Sequence, residues 1–173
     1  MSIESFMTSG VFTVKPTCTV AEAIRLMHEK HVRNLPVVNK KGEFIGLFGL
    51  RRLSRLFLPK VVSDLGPHSI SDLGFLPDDL MEIDRRWHEI ANEPVGNYLE
   101  KNKKLLFCTP KTAFPELLAL LVKSKDSSLP VIVVKGNSKK LVGMVSAWDV
   151  LESVVMGRLV NRNDSGISPA KSE

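Results

Sequence analysis

Cysteine is nearly absent. Cys18 and Cys108 are the only two in the chain, too few for a disulfide framework, so a reduced, cytoplasmic setting is the expectation. Long apolar runs are missing as well. The six residues from Leu117 to Val122 are among the longest, against roughly 20 for a membrane-spanning helix, and no membrane segment is expected. Met1-Ser2-Ile3-Glu4-Ser5 carries no basic stretch followed by an apolar one, which argues against a secretory signal. Aromatic residues make up only 6%. The run Arg51-Arg52-Leu53-Ser54-Arg55 therefore has no stacking surfaces beside it for a nucleic acid, although a net charge of +5 permits an anionic partner. Nucleophile elbow, P-loop and Cys-x-x-Cys patterns are all lacking, and no general base is paired with a nucleophile, so an enzyme is not expected. His28 and His31 are three apart, but no third ligand stands at metal-binding spacing.

What remains is 173 residues, 43% apolar and 25% charged, enough for one compact domain or two small halves sharing a core. Internal repetition is the strongest pattern in the chain. At an offset of 94, Val20, Ala23, Ile24 and Met27 fall on Phe114, Leu117, Leu118 and Leu121, each set spaced as one helix face. Pro16 falls on Pro110, Glu22 on Glu116, and Leu35-Pro36-Val37 on Leu129-Pro130-Val131. Phe44-Ile45-Gly46-Leu47 then matches Leu141-Val142-Gly143-Met144 at an offset of 97, the extra residues falling in the turn around Gly136-Asn137-Ser138.

Each copy reads as strand, helix, strand, strand, helix. In the first, a short strand from Val11 to Val14 precedes Pro16, and Thr19 with Glu22 forms a capping box opening a helix that ends near His31. Leu35 to Val38 and Phe44 to Phe48 make a hairpin, followed by a helix from Leu50 to about Phe57. The second copy ends in a helix from Ala147 to about Leu159. The expected organisation is a first repeat over 1–60, an insertion over 61–95, a second repeat over 96–160 and a polar, disordered tail over 161–173. Within the insertion, Gly66-Pro67-His68 and Gly74-Phe75-Leu76-Pro77 signal loops. Asp78 to Ala91 reads as a helix packed through Leu80, Ile83, Trp87 and Ile90.

Val-Phe-Thr-Val-Lys-Pro, Thr-Val-Ala-Glu-Ala-Ile-Arg-Leu-Met, Asn-Leu-Pro-Val-Val and Gly-Glu-Phe-Ile-Gly-Leu, in that order, resemble a CBS domain. The second copy repeats the order through Leu-Pro-Val-Ile-Val-Val and Leu-Val-Gly-Met-Val-Ser-Ala-Trp-Asp-Val-Leu. The resemblance implies an α/β fold of two pseudo-symmetric β-α-β-β-α repeats packed sheet to sheet, with a helical insertion between them. It also implies a regulatory module that binds AMP, ADP or ATP between the copies, signals to a protein partner and forms a homodimer. A ligand-free interaction module and a nucleic-acid binder are the alternatives.

Ser146-Ala147-Trp148-Asp149 matches that family's ribose-phosphate motif. A carboxylate can accept from both ribose hydroxyls, and a helix N-terminus suits a phosphate. The same four residues are also an ordinary helix start. By the resemblance, Ser146 and Asp149 face Thr8, Val11 and Phe12, with Asn34, Leu35 and Pro36 closing the pocket. The first copy has Gly49-Leu50-Arg51-Arg52 at the equivalent place. Arg52 cannot accept a hydrogen bond, so it is either directed at the nucleotide's phosphates or a solvated residue on a basic helix face. One ligand per chain is the expectation.

Overall fold

The computed structural model describes residues 3–57, 80–99, 105–124 and 127–155. Loop signals in 66–77, the end of the last helix and the tail lie outside the described residues. The chain forms two compact units. One comprises residues 12–105; the other combines residues 1–11 with 106–173.

In the unit of residues 12–105, α1 (Val20–Glu29) starts at the capping box read from the sequence. The Glu22 amide donates to Thr19 Oγ1 at 3.2 Å, and the Thr19 amide to Glu22 Oε2 at 2.9 Å. α1 buries Val20, Ala23 and Met27, one stripe of the helix. It ends because His31 turns left-handed, at φ 52°. The amides of His31 and Val32 then bond back to the carbonyls of His28 and Met27, closing the last turn.

The chain continues into β1 (Asn34–Val38) and β2 (Phe44–Gly49), an antiparallel pair, and then into α2 (Leu50–Phe57). The strand expected from Val11 to Val14 is reduced to one parallel bridge, Val14 to Val37. Val14, Val20, Ala23, Met27, Leu35, Val37, Phe48, Leu53 and Val95 form the core.

The insertion contributes α3 (Leu80–Ile90). The carbonyls of Ala91 and Glu93, just beyond it, accept from the amides of Ala21 and Val20 at 2.9 Å. Two of the orphan donors at the start of α1 are thereby satisfied. Trp87 and Ile90 pack on the core as expected. Ile83 does not join them: it is 46% exposed, and Met81 is 80% exposed. Among the side chains described, the helix meets the core through Trp87 and Ile90; the side chain of Leu80 lies outside the description.

In the other unit, Cys108 bridges Val131 in parallel, as Val14 does Val37. α4 (Phe114–Lys123) leads to the antiparallel pair β3 (Ser128–Lys135) and β4 (Ser138–Ser146), and then to α5 (Ala147–Val155). The core is Ile3, Cys108, Leu117, Leu121, Leu129, Val131, Val145 and Val150.

Ile3 belongs to that core although it precedes the first repeat's helix by many residues. Each repeat's lead-in packs on the other repeat's sheet. The 3-10 turn Ile3–Ser5 and the residues after it lie on β4, where the amides and carbonyls of Thr8 and Met144 bond reciprocally at 2.9 Å. The 3-10 turn Val95–Tyr98 supplies Val95, Tyr98 and Leu99 to the core around α1. Glycines make these crossings possible. A Cβ on Gly143 would stand 2.8 Å from the Thr8 carbonyl oxygen, and one on Gly96 2.9 Å from that of Pro16.

Candidate functional site

β4 ends at Ser146 and α5 begins at Ala147, so the Ser-x-x-Asp motif occupies a strand-to-helix junction. Ser146 is the helix cap: its Oγ accepts from the Asp149 amide at 3.2 Å. Asp149 answers with one carboxylate oxygen. Oδ2 accepts from the Ser146 amide at 2.6 Å and from the Ser146 hydroxyl at 2.7 Å. These bonds fix the side chain's rotamer. Oδ1 has no partner among the described residues, and the side chain is only partly buried. The junction is thus both a helix start and a fixed, half-free carboxylate acceptor, the group a vicinal diol needs.

The first copy handles the same junction differently. Gly49 is cross-strand neighbour to Asn34, whereas Ser146 is neighbour to Ser128. The Asn34 Oδ1 lies 1.9 Å from where a Cβ on Gly49 would stand. The carboxamide fills the volume that a capping hydroxyl takes in the second copy. The missing side chain at 49 and the longer one at 34 thus fit one another across the strands. The individual residues gave no sign of this; the cross-strand register shows it.

Thr8, Val11, Ser146 and Asp149 lie in one compact unit; Phe12, Asn34, Leu35, Pro36 and Arg52 lie in the other. Thr8 uses its backbone on Met144 and keeps its side chain exposed. Phe12 is exposed, with the Lys30 ammonium 5.3 Å from its ring centre. Leu35 and Pro36 are fully buried, so their side chains are core and only their backbone could meet a ligand. Arg52 is half-buried on the first turn of α2.

Burial raises both thiols to about 11, with the Glu22 carboxylate adding to the effect at Cys18 and Glu116 at Cys108. Neither is a thiolate nucleophile at neutral pH. His28 and His31 stand with ring centres 6.4 Å apart, and no cluster of three or more metal-ligating side chains occurs among the described residues. No helix among the described residues is long and apolar enough to cross a membrane.

Two copies of one α/β unit, each with an antiparallel strand pair running into a helix at a capped or glycine-filled junction, define a duplicated α/β module. The sequence pattern of the CBS domain matches residues 3–59 and 95–156, more than half of the chain, and the protein belongs to that family as a tandem pair. The chain is similar to the chloroplastic CBS domain-containing protein CBSX1 of Arabidopsis thaliana, at 29% identity over 170 residues that cover 89% of this chain and 64% of that protein. It is also similar to an uncharacterised protein of Methanocaldococcus jannaschii, at 25% identity, covering 90% of this chain and 44% of that one. It therefore spans less than two thirds of either relative. Among solved structures, CBSX2 in complex with AMP superposes with a TM-score of 0.63 at 22% identity, covering 91% of this chain and 98% of that one.

Proposed function

We propose that the protein is a non-catalytic regulatory module that binds an adenine nucleotide, with Asp149 as the ribose acceptor and Ser146 beside it. The observation that carries this reading is the divided carboxylate. One oxygen is held by the helix cap and the other is left unbonded among the described residues. The unbonded oxygen is available to accept from the ribose hydroxyls. The AMP held by CBSX2 supports the choice of ligand class.

From the family pattern, the reading adds Thr8 and Val11, Phe12 and Asn34, and the backbone of Leu35 and Pro36 as further contacts, with Arg52 directed to the phosphates. Binding of one nucleotide per chain would favour one conformation over another, since a ligand without differential affinity carries no signal. The shape would be read by a protein partner. Trp148 and Leu151, 72% and 56% exposed on α5, suit the interface of a homodimer.

Titration calorimetry with AMP tests the reading. Loss of a charged acceptor costs about 1.5–3 kcal/mol, so Asp149→Ala should bind roughly 10- to 150-fold more weakly. Asp149→Asn keeps a cap acceptor while compromising the free one, so it should lose affinity with little loss of melting temperature. Equal affinity in native and variant proteins would remove the ribose assignment. A second reading, a ligand-free interaction module, is favoured by the completeness of the cap itself. Absence of binding heat and of any thermal shift across AMP, ADP and ATP would select it.

A further inference from the structure

The duplication contains its own control for what the fold requires. β1 and β2 have five and six residues, whereas β3 and β4 have eight and nine. The added rungs of the second hairpin are Val133 with Lys140, Val134 with Lys139, and Lys135 with Ser138. They bury little: Val134 is 47% exposed, and all three lysines are exposed. The first copy folds without such an extension, so core packing does not account for it.

Its chemistry is one-sided. From position 101 to 146 the sequence has nine lysines against two acidic residues, Glu116 and Asp126. No carboxylate pairs with Lys135, Lys139 or Lys140 among the described residues. By contrast, the first hairpin's Lys40 and Lys41 are followed by Glu43, which Asn39 holds at 2.7 Å. Side chains alternate along a strand and cross-strand partners share a face. Lys139 therefore stands on one face of the ribbon, where its ammonium lies 5.5 Å from the Phe107 ring centre. Lys135 and Lys140 stand on the other.

Cations on both faces distinguish the possible polyanions. A flat anionic surface can meet one face of a ribbon at a time. The major groove of B-form DNA, about 12 Å wide, admits a two-stranded ribbon, and its phosphate-lined walls then flank the ribbon's edges, within reach of long lysine side chains that leave either face. We propose that the β3–β4 hairpin is a docking ribbon for duplex DNA, bound through Lys135, Lys139 and Lys140 without base stacking. The scarcity of aromatic residues does not count against this mode. The site is separate from the Ser146–Asp149 junction and does not depend on nucleotide binding.

The test is fluorescence anisotropy of the full chain with a labelled DNA duplex of about 20 base pairs. Three neutralised phosphates predict an affinity loss of about 20-fold between about 50 and about 150 mM NaCl. Substituting Lys135→Ala, Lys139→Ala and Lys140→Ala together should remove most of that salt dependence, while Lys40→Ala with Lys41→Ala, and Asp149→Ala, should leave it. No duplex binding at the lower salt would overturn the proposal. So would an unchanged salt slope in the triple variant, or equal losses from the first-hairpin variant, which would mean a net-charge effect. Vesicles containing phosphatidylserine should bind weakly; tighter binding to them than to DNA, with the same three lysines required, would also overturn it.

Discussion

Gly46 and Gly143 hold equivalent places in the two repeats, both are buried, and neither has positive φ. A methyl group therefore strains neither backbone, and the cost of substitution depends only on what it meets. At Gly143 it would meet backbone, the Thr8 carbonyl oxygen at 2.8 Å, along with Met7 Sδ at 2.9 Å. At Gly46 it would meet the branched end of Leu99, at 3.1 to 3.4 Å. A side-chain end can rotate away; a bonded carbonyl cannot without breaking the Thr8–Met144 pair. Loss of those two hydrogen bonds gives about 1–3 kcal/mol. Departure of the fully buried Ile3 adds about 1.5–3 kcal/mol more if the lead-in leaves the sheet. Gly46→Ala should cost about 1 kcal/mol, the low end of overpacking. Urea denaturation followed by ellipticity gives both values. Cleavage after the exposed Glu4 by a glutamyl endopeptidase reports whether the lead-in has come away. If Gly46→Ala costs as much as Gly143→Ala, or if Glu4 is cleaved no faster in the latter, the assignment of the lead-in to β4 is wrong.

Two other outcomes follow from local geometry. The amide of Thr19, and next its hydroxyl, hold Glu22 below the usual glutamate range. Its contribution to stability is present above that range and is lost as pH falls through the lowered value. Melting temperature should thus fall further on acidification in the native protein than in Glu22→Gln; parallel curves would contradict this. At the other junction, Gly49→Ser should destabilise strongly because Asn34 occupies the space. Adding Asn34→Ser, which recreates the Ser128–Ser146 pairing, should recover at least about 1 kcal/mol. Additive losses would show that the two positions are independent.

The duplication, the hairpins and the first capping box were legible because they rest on short-range spacing, which local backbone geometry enforces wherever it occurs. The lead-ins were not. Ile3, Phe6 and Met7 match Val95, Tyr98 and Leu99 only at an offset of 92, different from that of the rest. A single 3-10 turn also has no periodicity to reveal it. Their exchange is a long-range fact that neither segment encodes alone. Ile83 shows the opposite error: helical spacing states which residues share a face, not how far the neighbouring surface extends. At the candidate site, the cap function of Ser146 and Asp149 could be read from four residues. The Asn34–Gly49 compensation could not, since it depends on which residues sit opposite each other across two strands.

Crossing of the lead-ins also sets a timetable for synthesis. Residues 12–105 contain every piece of one unit, so that unit can close as soon as Val95 and Leu99 have emerged. The other unit needs Thr8 to meet Met144, so the residues around position 8 must wait, unpaired, until those around 144 have been made. Such distant closure is slow, and until it occurs one edge of β4 has no cover. A ribosome stalled midway would therefore carry one finished half and the lead-in of residues 3–8 with its own partner still unmade.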